Sequence, residues 1–168
     1  MIRAVLFDLD ETLIDRAETM RKFLQDQYHR FPDLSVNAVD LFVDACLNYQ
    51  NNGYADKHLA YKSACDDFGS KNLILADLLF EDFKEHYGKD PVLFPGVVET
   101  LGTLRKNYLL GLVSNGRSRA QVAKLEVSGI SELFSSICIS ESIGSKKPDH
   151  SIFLYCLNEL LQLLQKFR

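Results

Sequence analysis

Asp8, Asp10 and Thr12 occupy alternate positions in the stretch Ala4-Val5-Leu6-Phe7-Asp8-Leu9-Asp10-Glu11-Thr12. In an extended strand alternate side chains share a face, so the two carboxylates point one way and Leu9 the other. Like charges that close repel, and a fold keeps them only where a metal cation or a shared proton compensates. Carboxylates so placed can serve as nucleophile, as general acid and base, or as ligands of a hard cation. The plain alternative is a strand running into an Asp/Thr-rich turn. Two later clusters carry polar chemistry at the exits of apolar runs: Ser114-Asn115-Gly116, and Gly144-Ser145-Lys146-Lys147-Pro148-Asp149. Taken singly, the first reads as an ordinary turn and the second as a solvated loop.

The elements that must position these residues follow from periodicity. An apolar run of strand length covers 2–8. From 15 to 88 the texture is helical. Met20, Phe23, Leu24, Gln27 and Tyr28 fall on one face, stopped by Phe31-Pro32-Asp33. A second helix spans 36–49, with Val39, Phe42, Val43, Cys46 and Leu47 on a face, ended by Asn51-Asn52-Gly53. Asp56 caps a third helix carrying Leu59, Ala60, Ala64 and Phe68, and a fourth covers 73–87. Four short helices joined by turns describe a helical bundle. Beyond Pro91 strands and helices alternate: a helix from Pro95-Gly96 through Lys106, a strand over 108–113, a helix over 117–127 and a strand over 137–139. An amphipathic helix over 151–168 follows, with a stripe of Ile152, Phe153, Cys156, Leu157, Leu160, Leu161 and Leu164.

Alternating strands and helices argue an α/β fold with a parallel, Rossmann-like sheet. The helical stretch between its first two strands is too long for a connecting loop and reads as an inserted domain. The expected division is an α/β core of 1–14 and 91–168 around a helical insertion of 15–90. In such sheets ligands bind beyond the carboxyl ends of the strands, where the three polar clusters converge.

The 168 residues suit one domain, or one core with an insertion, and bury roughly 70% of their unfolded surface. A net charge of −4 without any Lys/Arg block makes nucleic acid and anionic membranes poor partners. Cys46, Cys65, Cys138 and Cys156 show no C-x-x-C spacing and read as buried free thiols of a reducing compartment. No signal-type run and no membrane-length segment is present, so a cytoplasmic protein is expected. His29, His58, His86 and His150 lack metal-ligand spacing. The aromatics Tyr28, Phe42, Tyr49, Tyr54 and Tyr61 read as bundle core.

In combination the three clusters resemble the haloacid dehalogenase superfamily, in the branch whose helical cap follows the first motif. The resemblance runs from Ile2 to about Leu160 and covers Asp8-Leu9-Asp10-Glu11-Thr12, the strand Leu112-Val113 ending in Ser114-Asn115-Gly116, and Lys146-Lys147-Pro148-Asp149 with Ile152-Phe153. It implies phosphoryl transfer. Asp8 would be the nucleophile that becomes an aspartyl-phosphate, and Asp10 the general acid and base, which calls for a raised pKa. Thr12, Ser114, Asn115 and Gly116 would bind phosphate, and Lys147 would balance charge and keep Asp8 ionised. Mg²⁺ would lie between Asp8, the Asp10 carbonyl and a phosphate oxygen. The substrate implied is a small phosphorylated metabolite. The dehalogenases of the superfamily lack a carboxylate at the second position, so Asp10 favours a phosphatase.

One motif departs from the family pattern. A fourth motif, an acidic pair after a further strand, would complete the Mg²⁺ site, yet no acidic residue follows Glu159. The expectation is a shortened chain with weakened metal binding, a bared edge on the first strand and a partly uncovered last helix. A catalytically silent remnant or phosphate-binding module stands as the alternative. A phosphoacceptor receiver domain fits less well, because no acceptor Asp follows a third strand. Oligomeric state is left open.

Overall fold

Three short apolar runs form one parallel sheet in the computed structural model, which describes residues 2–34, 38–50, 55–69, 72 and 74–166. Strands β1 (Ala4–Phe7), β2 (Leu109–Ser114) and β3 (Ser136–Ile139) lie in that spatial order. The register sets Phe7 beside Leu112 and Ser114 beside Ile139, so all three strands end on the same side of the sheet. β1 is trimmed at both ends from the expected 2–8, β2 is shifted by one residue from 108–113, and β3 begins one residue before 137–139.

Period-two alternation sorts the strand side chains between two apolar layers. Val5, Phe7, Leu110 and Leu112 pack with Val97, Leu101 and Leu125. These come from the helices Val97–Leu104 and Ser118–Val127, designated α5 and α6 below. Ala4, Leu6, Leu109 and Val113 pack on the other layer with Ile152, Cys156 and Leu160 of the helix His150–Lys166, designated α8. Covering helices on both layers is what a buried parallel sheet requires. Strand β1 lies at one edge of the described sheet, and its residues are all half-buried. The α8 stripe is narrower than expected: Ile152, Cys156 and Leu160 are buried, whereas Leu157 and Leu161 are exposed. A one-turn helix Ser140–Ile143 (α7) follows β3 and carries too few residues to show periodicity.

The helical stretch comprises α1 (Arg16–Arg30), α2 (Val39–Gln50), α3 (Lys57–Asp67) and α4 (Leu75–His86). Contacts divide the chain into a unit of Met1–Arg16 with Gly88–Arg168 and a second unit of Ala17–Tyr87. The chain leaves and re-enters the first unit along paired backbone. The Asp15 N–H donates to the Val92 carbonyl at 2.9 Å and the Phe94 N–H to the Leu13 carbonyl at 3.0 Å.

The helical unit has its own core around Phe23, Leu24, Phe42, Tyr61, Leu75 and Leu79. Asp56 caps α3, its Oδ1 accepting from the Leu59 N–H at 2.9 Å. Tyr49 is not core: it is exposed, and its hydroxyl donates to Asp67 at 2.7 Å because its place on α2 faces outward. Tyr54, the Asn51-Asn52-Gly53 stop and the expected starts of two helices at Val36 and Leu73 lie outside the described residues. His58 and His86 face the carboxylates of Asp77 and Asp82. All four cysteines are free and buried. Among the described residues no helix is long and apolar enough to cross a membrane.

Candidate active site

The β1 strand stops at Phe7, and the chain then turns around the carbonyl of Leu9. That oxygen accepts the N–H groups of Leu13 at 2.9 Å and Ile14 at 3.0 Å, with Thr12 at 3.4 Å. Leu9 is fully buried in the α5–α6 layer and anchors the turn, and Glu11 adopts a left-handed conformation (φ 60°). The strict alternation expected for Asp8 and Asp10 therefore does not run through the motif. Each carboxylate meets a different lysine, so cationic side chains compensate the pair.

Asp8 forms an ion pair with Lys147, which arrives from the loop between α7 and α8; the Asp8 side chain is 43% exposed and open to a reactant. Its Oδ1 also accepts the N–H of Leu9 at 2.7 Å. The Lys147 loop is held by Asn115. The Asn115 carboxamide donates from Nδ2 to the Lys147 carbonyl at 3.1 Å and accepts the Lys147 N–H on Oδ1 at 2.8 Å. Both ends of this side chain thus bind main chain rather than facing the rim, and Asn115 connects the exits of β2 and β3. The following peptide bond, Lys147–Pro148, is cis.

Asp10 is held by α6. Its Oδ1 accepts from Lys124 Nζ at 2.7 Å and its Oδ2 from Gln121 Nε2 at 2.9 Å. Burial pushes the Asp10 carboxyl up, but the Lys124 ammonium and the Gln121 and Lys124 hydrogen bonds, with Arg16 adding charge, outweigh it and hold the group below the usual carboxylate range. The raised value expected of a general acid is thus not found in this arrangement. Gln121 also reaches Ser114 Oγ at 2.8 Å and the Asn115 carbonyl at 3.1 Å. Ser114 is buried at the end of β2. Gly116 exchanges hydrogen bonds with Ser140 Oγ, donating its N–H at 3.0 Å and accepting at 3.3 Å.

The fold thus assembles Asp8, Asp10, Ser114, Asn115 and Lys147 at the carboxyl ends of the strands. Thr12 is exposed in the turn, tied to it by its main-chain amide, and stands apart from the side-chain network. Periodicity assigns Gln121 and Lys124 only to a helix. The signal that could have marked them is their spacing: three apart on a helix directly after Ser114-Asn115-Gly116, they share a face.

The oxygen donors suit a hard cation. The Asp8 carboxylate and the main-chain carbonyl of Asp10 match Mg²⁺, which commonly binds one or two carboxylates, keeps several waters and accepts phosphate oxygens. Among the described residues no group of three or more His, Cys, Asp or Glu side chains gathers around one point.

Across residues 5–166 the chain matches the family of haloacid dehalogenase-like hydrolases. Human N-acylneuraminate-9-phosphatase is 30% identical over 172 aligned positions, covering 95% of this chain and 69% of that protein. The pyrimidine 5'-nucleotidase YjjG of Escherichia coli K12 is 28% identical, covering 92% of this chain and 70% of its own. The glyceraldehyde 3-phosphate phosphatase of Methanopyrus kandleri is 29% identical, with 95% and 71% covered. Among solved structures, the HAD-hydrolase YfnB of Bacillus subtilis, bound to magnesium, aligns with a TM-score of 0.66 at 21% identity, covering 92% of this chain and 70% of that one. The L-2-haloacid dehalogenase of Xanthobacter autotrophicus aligns with a TM-score of 0.52 at 18% identity, with 96% and 66% covered. At those identities the likeness is one of fold alone. The family match over nearly the whole chain, with the motif residues assembled at one rim, places this protein among the haloacid dehalogenase-like hydrolases.

Proposed function

We propose that this hydrolase is a Mg²⁺-dependent phosphatase of small phosphorylated metabolites, acting through an aspartyl-phosphate on Asp8. The observation that carries the reading is the open Asp8 carboxylate, ion-paired with Lys147, with a second carboxylate two residues on. In the first step an Asp8 carboxylate oxygen attacks phosphorus, the bond to the leaving oxygen breaks, and Asp10 donates a proton to that oxygen. In the second, Asp10 takes a proton from water as the water oxygen attacks phosphorus; the Asp8–phosphorus bond breaks and inorganic phosphate leaves. Asp10 must turn away from Lys124 to do either, and a phosphate dianion brought against it favours its protonated form. Lys147 orients Asp8 and opposes the charge of the transferred group, and the Ser114 hydroxyl meets a phosphoryl oxygen. The helical unit corresponds to the inserted cap of the family.

Charge balance supports the divalent ion. Asp8 and Asp10 are matched by Lys147 and Lys124, so a phosphomonoester adds two uncompensated negative charges. Held by Asp8 and the Asp10 carbonyl, Mg²⁺ would supply that charge and polarise the phosphoryl group. A phosphatase is favoured over a dehalogenase by Asp10, since a leaving alkoxide needs a proton and a leaving halide does not. Two named phosphatases and a nucleotidase among the relatives agree with this choice. No observation favours the silent binding module.

The test is hydrolysis of an aryl phosphate with Mg²⁺ by wild type and by Asp8→Asn. Turnover in wild type and a loss of at least about 10³-fold in the variant are expected, because the nucleophile itself is removed. Absence of wild-type turnover across phosphomonoesters, or an active Asp8→Asn, refutes the reading.

A further inference from the structure

We propose that Gln121 is a positioning residue of this hydrolase: its carboxamide sets the Ser114 hydroxyl as a donor toward the phosphoryl group and keeps Asp10 in register with it. The inference rests on the phosphatase reading above and assigns a role to a residue outside the three motifs.

Gln121 is 3% exposed, and its Nε2 faces three oxygens: Ser114 Oγ at 2.8 Å, Asp10 Oδ2 at 2.9 Å and the Asn115 carbonyl at 3.1 Å. An ionised carboxylate and a main-chain carbonyl can only accept, so the carboxamide must present its N–H₂ to them. The reversed amide would set Oε1 against two acceptors in a buried place, a costly arrangement. The orientation of Gln121 is therefore dictated by its neighbours, and it decides the polarity of Ser114. The two N–H bonds are shared among the three oxygens and the amide nitrogen cannot itself accept, so the Ser114 hydrogen must point elsewhere. It donates to the Asn115 carbonyl at 3.4 Å, longer than the usual O–H···O bond. A phosphoryl oxygen arriving at the end of β2 displaces that long contact and takes the hydrogen.

Gly116 supplies an independent observation. Its backbone (φ 145°) runs so close to Gln121 that an added Cβ would lie 3.2 Å from Cγ, Cδ and Nε2 of that side chain. The glycine of Ser114-Asn115-Gly116 thus makes room for the carboxamide beneath it. Lys124, one helical turn further on, engages the other oxygen of Asp10, so Lys124 brings charge and Gln121 provides the tie to Ser114.

The experiment compares kcat and KM for an aryl phosphate with Mg²⁺ in wild type, Gln121→Leu, Gln121→Glu, Ser114→Ala and the double variant Gln121→Leu/Ser114→Ala. Circular dichroism normalises each rate to folded protein. Gln121→Leu is expected to lower kcat roughly 10- to 100-fold, the usual cost of losing such a support. Gln121→Glu keeps the shape but replaces the donor with an acceptor, so it fails to rescue. In the Ser114→Ala background the leucine substitution should cost much less, because the group it acts through is gone. Wild-type kcat in either Gln121 variant overturns the proposal, as does an undiminished loss in the Ser114→Ala background. If both of these variants fail to fold, Gln121→Asn keeps an amide one methylene short of Ser114 and Asp10. It should lower kcat in the same Ser114-dependent manner, and unchanged kcat there overturns the proposal.

Binding of inorganic phosphate to wild type and Gln121→Leu separates this inference from the reading beneath it. A wild type that binds phosphate without hydrolysing esters refutes the phosphatase, while weaker binding by Gln121→Leu upholds the positioning role. Equal binding by the two proteins removes that role, and a wild type that neither binds nor hydrolyses removes both.

Discussion

Lys147 illustrates how a single residue acquires meaning from its neighbours. In the sequence it is one of two adjacent lysines before a proline. In the structure Asn115 grips its main chain and its ammonium meets Asp8. Lys147→Met keeps the length of the side chain and removes the charge, leaving Asp8 unopposed as an anionic substrate approaches. The expected outcome is a fall in kcat/KM of about 10²-fold or more, as for other preorganised charge partners. Steady-state kinetics checks it, and retention of wild-type kcat/KM would remove Lys147 from the site. Asn115 acts at one remove, by fixing the loop that presents the lysine.

Between β2 and α8 the elements approach to the limit of packing. Gly111 sits mid-strand, and a Cβ there would lie 2.5 Å from Leu6 Cδ2 and 2.8 Å from Cys156 Sγ. A side chain there must displace the ends of Leu6, Cys156 and Leu160. Gly111→Ala should therefore cost about 1–3 kcal/mol as an overpacked core. A lower urea midpoint with an unchanged slope is the expected result, and an unchanged midpoint would mean that α8 yields freely. On α8 Ile152, Cys156 and Leu160 are buried, whereas Leu157 and Leu161 are exposed. Its amphipathic stripe was legible in the sequence, and its width was not. Width depends on which neighbouring elements cover the helix, and that information lies outside its own residues.

At the scale of the whole molecule, each of the two units carries a separate core, and the helical unit adds a polar cluster to its own. Asp82 takes two hydrogen bonds from Arg30, at 3.0 and 2.7 Å, and one from Gln27 at 2.8 Å. Burial raises the Asp82 carboxyl, but Arg30, Gln27 and His86 together hold it below its ordinary value of 3.8. A carboxylate depressed in the folded state stabilises above its unfolded pKa, and that contribution is lost as the pH falls through the folded value. The helical unit should therefore lose stability as the pH drops below 3.8, and Asp82→Asn should flatten this dependence. Tyr28, Tyr49, Tyr54, Tyr61 and Tyr87, five of the seven tyrosines in the sequence, lie in the stretch 17–87, so near-ultraviolet circular dichroism reports chiefly on that unit. An acid transition of the same midpoint and steepness in both proteins would show that the cluster contributes nothing.

The sequence by itself determined the parallel α/β architecture, and it marked Asp8, Asp10, Ser114, Asn115 and Lys147 as polar residues that follow apolar runs. Apolar periodicity is local, and polar residues at strand exits must meet once the strands run parallel. Only the tertiary structure decided that each carboxylate has its own lysine, that the Asn115 side chain binds the Lys147 loop, and that Gln121 joins Asp10 to Ser114. Asn115 and Lys147 lie 32 positions apart, Asp10 and Gln121 111, Asp10 and Lys124 114, and Asp8 and Lys147 further still, and no local rule of spacing reaches that far. They follow from the register of the strands and from the face that α6 turns toward their ends.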